Sequence, residues 1–225
     1  MNTVLRQIVL LTGKDLRIES RSRQTVGLVT VLGILIVAVL GLGLAAGSNL
    51  AAFGATAVLW VAYLFSGVLC FEKTMAVERN DGVLAALLMA PIDRGTIYLA
   101  KLISNLLLML AVAVVVTPVG ILFFGFDLSA APFTFLMVMG LGIFGFAAVG
   151  TLFAAVVSST RLQGGLLAMM VFPITLPLVL ASTQMMLRAF RDGQSPGVAG
   201  IGVLAAFDVI FLIVSWLVFE WVLEP

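Results

Sequence analysis

Long apolar runs separated by short polar breaks dominate this chain. They predict spans near Val26–Ala46, Leu50–Phe71, Tyr98–Phe124, Phe133–Val157, Leu166–Leu187 and Val198–Phe219. A hydrocarbon core about 30 Å thick takes roughly 20 apolar residues of helix, and it demands that every backbone donor and acceptor be satisfied within the segment. The runs are far too long for barrel strands, so the pattern predicts an all-α membrane protein of about six transmembrane helices in one permease domain, residues 1–225. Only two polar stretches of any length interrupt it, the first 25 residues and a segment near 72–97.

The N-terminal arm has a rough helical pattern, with Val4, Leu5, Ile8, Leu11 and Leu16 offset from Arg6, Lys14, Asp15 and Arg17. It reads either as an elbow helix lying in the interface ahead of the first span or as a partly ordered basic tail, since Gly13 and the run Ile8–Leu11 blur the pattern. No cleaved signal is recognisable there, and the first span is expected to serve as the insertion signal. Six spans put both termini on one side. The arm, the second loop with its borders and the fourth loop together hold ten of the twelve Lys and Arg, against Arg188 and Arg191 on the other side. Because Lys and Arg avoid translocated loops, the ten are expected to face the cytoplasm.

The richest polar segment is FEKTMAVERNDGVLAALLMAPIDRGTIYLAKL, Phe71 to Leu102. Asn80 and Asp81 are good helix N-caps, Val83–Ala90 is a short apolar helix, Pro91 stops it, and Asp93 or Thr96 can cap the next span. Eight apolar residues cannot cross a bilayer. Bracketed by Glu78, Arg79, Asp81, Asp93 and Arg94, this helix over 80–91 would lie across the cytoplasmic ends of the bundle and offer side chains to an outside partner; the plainer reading is an interfacial or re-entrant loop.

Within the spans, Gly43 and Gly47 form a GxxxG pair, and Gly140, Gly142, Gly145 and Gly150 make the fourth span thin. Small residues let helices approach closely in lipid, for packing within the chain or between subunits. Pro118, Pro173 and Pro177 each remove a helical donor, which marks Phe172–Leu178 as the stretch expected to bend or unwind. Asp208 falls near the middle of the last span, where a carboxylate costs about 2.5–3.5 kcal/mol even on insertion scales. It is expected to face the bundle interior, either as a functional group or as a hydrogen-bonded structural one. Asn105 and Gln184 read as interhelical hydrogen-bond partners.

Composition narrows the chemistry. Hydrophobic residues make up 62% and charged residues 10%, and a net charge of +1 gives nucleic acid nothing to hold. The single cysteine, Cys70, reads as a small buried apolar residue. Histidine is absent, which removes the commonest general base and haem ligand. Thr12-Gly13-Lys14-Asp15 lacks the upstream glycine and following hydroxyl of a phosphate-binding loop. The chain therefore reads as a conduit or coupling subunit without catalytic or metal-binding residues, its energy supplied by another chain.

The segment Phe71–Leu102, with its ERNDG turn, apolar stretch ending in AP, DR pair and lysine in the next span, resembles the haem exporter protein B family of cytochrome c maturation, CcmB. Ser158–Leu180 (SSTRLQGGLLAMMVFPITLPLVL) and the tail FEWVLEP, Phe219–Pro225, are similar to that family too, so the resemblance runs through nearly the whole chain. It implies a fold like that of type-2 ABC exporters in a bacterial inner membrane. It also implies partners: a CcmA-like ATPase subunit, a second copy of the chain, a CcmC-like haem-handling subunit, a small CcmD-like subunit and a CcmE-like periplasmic haem chaperone. Haem would be cargo, with no covalently bound cofactor, and ATP would act only through the partner. By the same carry-over, Glu78, Arg79, Asp81, Gly82, Leu87, Pro91, Asp93 and Arg94 are candidates for coupling to the ATPase. The work done would be haem delivery or export, or release of the loaded chaperone. Trp60, Trp216 and Trp221 do not form a tryptophan-rich haem-handling signature, and the last two read as interface anchors. Three other readings compete: a permease of the same fold exporting a lipid, drug or glycan; a secondary carrier using Asp208; and a scaffold with no transport role.

Overall fold

The computed structural model describes residues 3–45, 50–80, 89, 92–125, 128–159, 165–192 and 197–222. They form seven α-helices: α1 (Thr3–Ser22), α2 (Gln24–Ala45), α3 (Leu50–Asn80), α4 (Arg94–Phe124), α5 (Pro132–Ser159), α6 (Leu166–Asp192) and α7 (Val198–Val222). A short 3-10 turn, Leu128–Ala130, precedes α5, and no strand occurs among the described residues. Helices α2 to α7 are each long and apolar enough to cross a membrane. The fold is thus an all-α bundle of six spans preceded by a helical arm.

Two helices form the centre. Most of α3 and α5 is buried, whereas α2 and α7 are mostly exposed. Helix α3 packs against α2, α4, α5 and α6, and α5 against α3, α4, α6 and α7. The α3–α5 contact is an exchange of rings for glycines. Phe71 of α3 lies on Gly150, Trp60 of α3 on Gly142, and Phe146 of α5 on Gly67, so closely that a methyl group at any of these glycines would overlap the ring. Since Trp60, Gly67 and Phe71 meet Gly142, Phe146 and Gly150 in the same order, the two helices run parallel, as a second and a fourth span must. With no hydrophobic gain between helices in lipid, such close van der Waals contact supplies the attraction. Phe71 and Phe146 also meet each other, centroids 5.2 Å apart.

Several expectations need correction. The arm is a helix through Ser22, not a partly ordered tail, and Gly13 does not interrupt it. Helix α3 continues nine residues beyond Phe71 because nothing in FEKTMAVERN breaks a helix; charge alone does not end one. Asn80, predicted as a helix N-cap, belongs to α3. Helix α4 begins at Arg94 and α6 ends at Asp192, both outside the apolar runs. Prolines 173 and 177 lie inside α6 and Pro118 inside α4, with both helices assigned continuously, so Phe172–Leu178 is not unwound. The Thr175 hydroxyl donates to the Val171 carbonyl (2.9 Å) between the two prolines.

Glycine roles divide. Gly142, Gly145 and Gly150 each face a close neighbour, whereas a side chain at Gly43 or Gly140 would meet nothing; Gly47 lies outside the described residues. Gly125 ends α4 in the left-handed region, φ 62°, its N–H donating to the Ile121 carbonyl (2.8 Å). This closure needs a residue without a Cβ penalty.

Candidate functional site

The arm folds back onto the bundle instead of hanging from it. Helix α1 packs along α4, and the Thr12 hydroxyl donates to the Ala100 carbonyl (3.2 Å). One turn on, Asp15 Oδ2 lies 2.7 Å from Lys101 Nζ, with side chains only 13% and 6% exposed. The Ser104 hydroxyl points between the same carboxylate oxygen (3.2 Å) and the Ala100 carbonyl (2.9 Å). Lys14 Nζ approaches the other oxygen, Oδ1, at 3.1 Å and is more exposed. A charge buried this deeply persists only when paired. Asp15 and Lys101 therefore stabilise each other, and α1 is held to α4 by more than apolar contact.

A second acid fixes the bend between α1 and α2. Glu19 Oε1 accepts from the Val26 N–H (2.7 Å), satisfying one of the donors that the first turn of α2 leaves free. Arg23 between the helices adopts φ 49°, and its N–H donates to the Glu19 carbonyl (2.6 Å). Residues Lys101, Asp15, Glu19, Thr25, Thr74 and Asn105 line a small cavity of about 40 Å³. That is room for a water molecule or two between those polar groups and the apolar Ile18, Val77 and Leu108.

One turn deeper, Asn105 of α4 joins three helices. Its Nδ2 donates to Thr151 Oγ1 of α5 (3.0 Å), and its Oδ1 accepts from Thr74 Oγ1 of α3 (3.1 Å). Asn105 is buried, and the interhelical role expected of it is the one observed. Gln184, by contrast, lies exposed on α6. Ion pair and amide together form a polar joint linking α1, α3, α4 and α5 at the end of the bundle from which segment 81–93 emerges.

Of the coupling candidates, Asp93 and Arg94 stand at the start of α4. Asp93 is its N-cap: the carboxylate accepts from the Thr96 N–H (3.2 Å), and Thr96 itself is buried. Arg94 opens the helix. Gly95 follows under the indole of Trp216, which leaves no room for a methyl group, so the start of α4 is also fixed to α7. Glu78 and Arg79 belong to the last turn of α3. Asp81, Gly82, Leu87 and Pro91 lie outside the described residues, as does most of the short helix expected over 80–91.

A profile of the family described as CcmB protein matches residues 6–223, nearly the entire chain. The chain belongs to the CcmB family. It is a multi-pass membrane component of the haem exporter for cytochrome c maturation, and a member of a complex with other subunits. No curated protein matches it closely enough to add a relative. The polar joint thus belongs to a CcmB protein, just inside the segment whose residues carried the resemblance.

The remaining sequence candidates of this CcmB chain sort by burial. Asp208 faces the interior as expected, 4% exposed, and neither carboxylate oxygen has a hydrogen-bond partner among the described residues. It lies against Gly145 and near Leu178 and Phe207, with no space between it and α5. Cys70 is fully buried, in line with a small apolar role. Trp60 is a core residue stacked edge-on to Tyr63, while Trp216 and Trp221 are exposed near the end of α7. Among the described residues no three His, Cys, Asp or Glu side chains are grouped to hold a metal ion. Sequence reading missed the joint itself. Lys101 entered only as a cation bordering the second loop and as the lysine of the family resemblance, and Asp15 only as a polar position of the arm. A lysine seven residues inside a helix that spans was the available signal, since such a charge needs a partner; nothing in the sequence named Asp15.

Proposed function

We propose that this CcmB chain is the permease half of an ABC transporter in which a separate ATPase docks on cytoplasmic segment 78–94. Its motion then passes through α3 and α4 into the bundle. The observation that carries this reading is the joint at the root of that segment. Helix α4 leaves the segment at a capped, glycine-packed start and within two turns is tied to α1 by Asp15–Lys101. One turn later Asn105 ties it to α3 and α5. A displacement applied at Arg94 would therefore be shared by four helices rather than absorbed by local bending. The apolar side of Val83–Ala90 would fill a groove on the ATPase, while Glu78, Arg79, Asp81, Asp93 and Arg94 fix its register. The work so transmitted serves haem delivery or release of the haem-loaded chaperone, with the arm and this segment on the cytoplasmic side.

Replacing Leu87→Glu and Asp81→Arg in the full complex tests the docking. Loss of co-purifying ATPase and of cytochrome c maturation is expected, with the membrane subunit still folded. An ATPase retained at normal stoichiometry together with full maturation would overturn the reading.

A further inference from the structure

Helix α1 segregates its charges. Ile8, Thr12, Asp15 and Glu19, spaced four, three and four apart, turn toward the bundle, and both acids on that stripe are engaged, Asp15 with Lys101 and Glu19 with the N–H of Val26. At 100° per residue, the opposite stripe carries Arg6, Leu10, Gly13, Arg17 and Arg21, all exposed. It holds three guanidinium groups and no carboxylate. Aliphatic side chains are interleaved with them: Val9 and Leu10 are 65% and 62% exposed. An open groove of about 420 Å³ runs along this face, lined by Val9, Leu10, Lys14, Arg17, Ile18 and Arg21.

Location decides what this face meets. Only Arg23 separates α1 from α2, whose exposed side carries Leu28, Val31, Leu35, Val39 and Leu42, the surface a spanning helix gives to lipid. Thr12 sits at the level of Ala100 and Asp15 at that of Lys101, two turns inside the start of α4. The 31 residues of α4 exceed the roughly 20 that a hydrocarbon core takes, which puts this level near the boundary of headgroups and hydrocarbon. A face of mixed arginines and aliphatics at this depth presents its forked donors to phosphate and its apolar groups to acyl chains. We infer that the outward face of α1, through Arg6, Arg17 and Arg21 with Val9 and Leu10 between them, binds anionic phospholipid headgroups of the adjoining leaflet. A soluble protein partner would not call for exposed aliphatics in line with the lipid-facing side of α2. The inference is independent of what the complex transports.

The full chain, reconstituted in nanodiscs of equimolar phosphatidylcholine and phosphatidylglycerol, is probed with spin-labelled versions of each lipid, and the ratio of immobilised phosphatidylglycerol to phosphatidylcholine is read. A basic side chain at an anionic surface is worth roughly fivefold in association. A severalfold preference for phosphatidylglycerol is thus expected, weakened by high salt and brought near parity in R6Q/R17Q/R21Q. Arg188→Gln, at the other end of the bundle, should leave it unchanged. A wild-type chain without preference, or a triple variant that keeps the wild-type ratio, overturns the inference; so does a triple variant that keeps the ratio and loses a co-purifying protein, which assigns the face to that protein. If the triple variant does not fold, Arg17→Gln together with the salt dependence of the wild type decides in the same terms.

Discussion

Removing the Asp15 carboxylate should cost more than removing the Lys101 ammonium, although the two are partners at 2.7 Å. In Lys101→Met, Asp15 keeps Lys14 at 3.1 Å and the Ser104 hydroxyl at 3.2 Å, and it is the more exposed member of the pair. In Asp15→Asn, an ammonium that is 6% exposed faces a neutral amide instead of a carboxylate. Breaking a buried pair from one side costs about 3–5 kcal/mol, most of it the desolvation of the charge left behind. Asp15→Asn is placed in that range because it takes the carboxylate from Lys101 and Lys14 at once, and Lys101→Met at about 1–2 kcal/mol because the remaining acid keeps a hydroxyl and a second cation to replace part of what it loses. The double variant removes both ends of the 2.7 Å contact and should recover most of the loss, giving a coupling of about 2 kcal/mol or more for contacting residues. Reversible unfolding in mixed micelles, followed for all four corners of the cycle, reads these differences. Equal and small effects, below about 0.5 kcal/mol and additive, would refute the claim that the pair holds α1 to α4. Cytochrome c maturation measured on the same four variants should rank them in the same order.

Three further predictions follow from single contacts. Gly150→Ala pushes a methyl group into the Phe71 ring and should destabilise the bundle by about 1–3 kcal/mol; Phe71→Leu in the same chain should restore part of the loss, as thermal unfolding of the pair would show. Asp93→Ala removes the α4 cap that accepts from Thr96 and should cost about 1 kcal/mol, whereas Asp93→Ser, which can still accept, should recover most of it on the same melting curve. Asp208→Asn should leave cytochrome c maturation at the wild-type level, because neither carboxylate oxygen has a partner to lose among the described residues; a complex that assembles normally but fails to mature cytochrome c would give Asp208 the role of an ion carrier instead.

How much of this was readable beforehand depended on the range of the interaction. The spans were visible because lipid imposes length and apolarity on each segment separately, and α1 was visible as a rough period of helical repeats. Helix ends were less so. The apolar runs stop at Phe71 and begin again at Tyr98, but α3 continues to Asn80 and α4 starts at Arg94, since a helix ends where its hydrogen bonding is capped or broken and not where hydrophobicity ends. Prolines 173 and 177 do not break α6, for a spanning helix can pass through proline when its neighbours hold it. Candidate glycines were identified as a class, but which of them mattered depended on the rings opposite: Gly142 and Gly150 face Trp60 and Phe71, while Gly43 faces nothing.

By itself, then, the sequence determined a six-span helical membrane protein with a basic arm and a polar segment at 72–97 bearing the family resemblance. These are properties of contiguous residues in a solvent that penalises every unsatisfied backbone group. Only the tertiary structure decided that Lys101 pairs with Asp15, 86 positions away, that Asn105 joins α3 to α5, and that Asp208 is buried with no partner among the described residues. Those outcomes depend on which helix faces meet. In lipid that choice is settled by close packing between helices, to which hydropathy along the chain is blind.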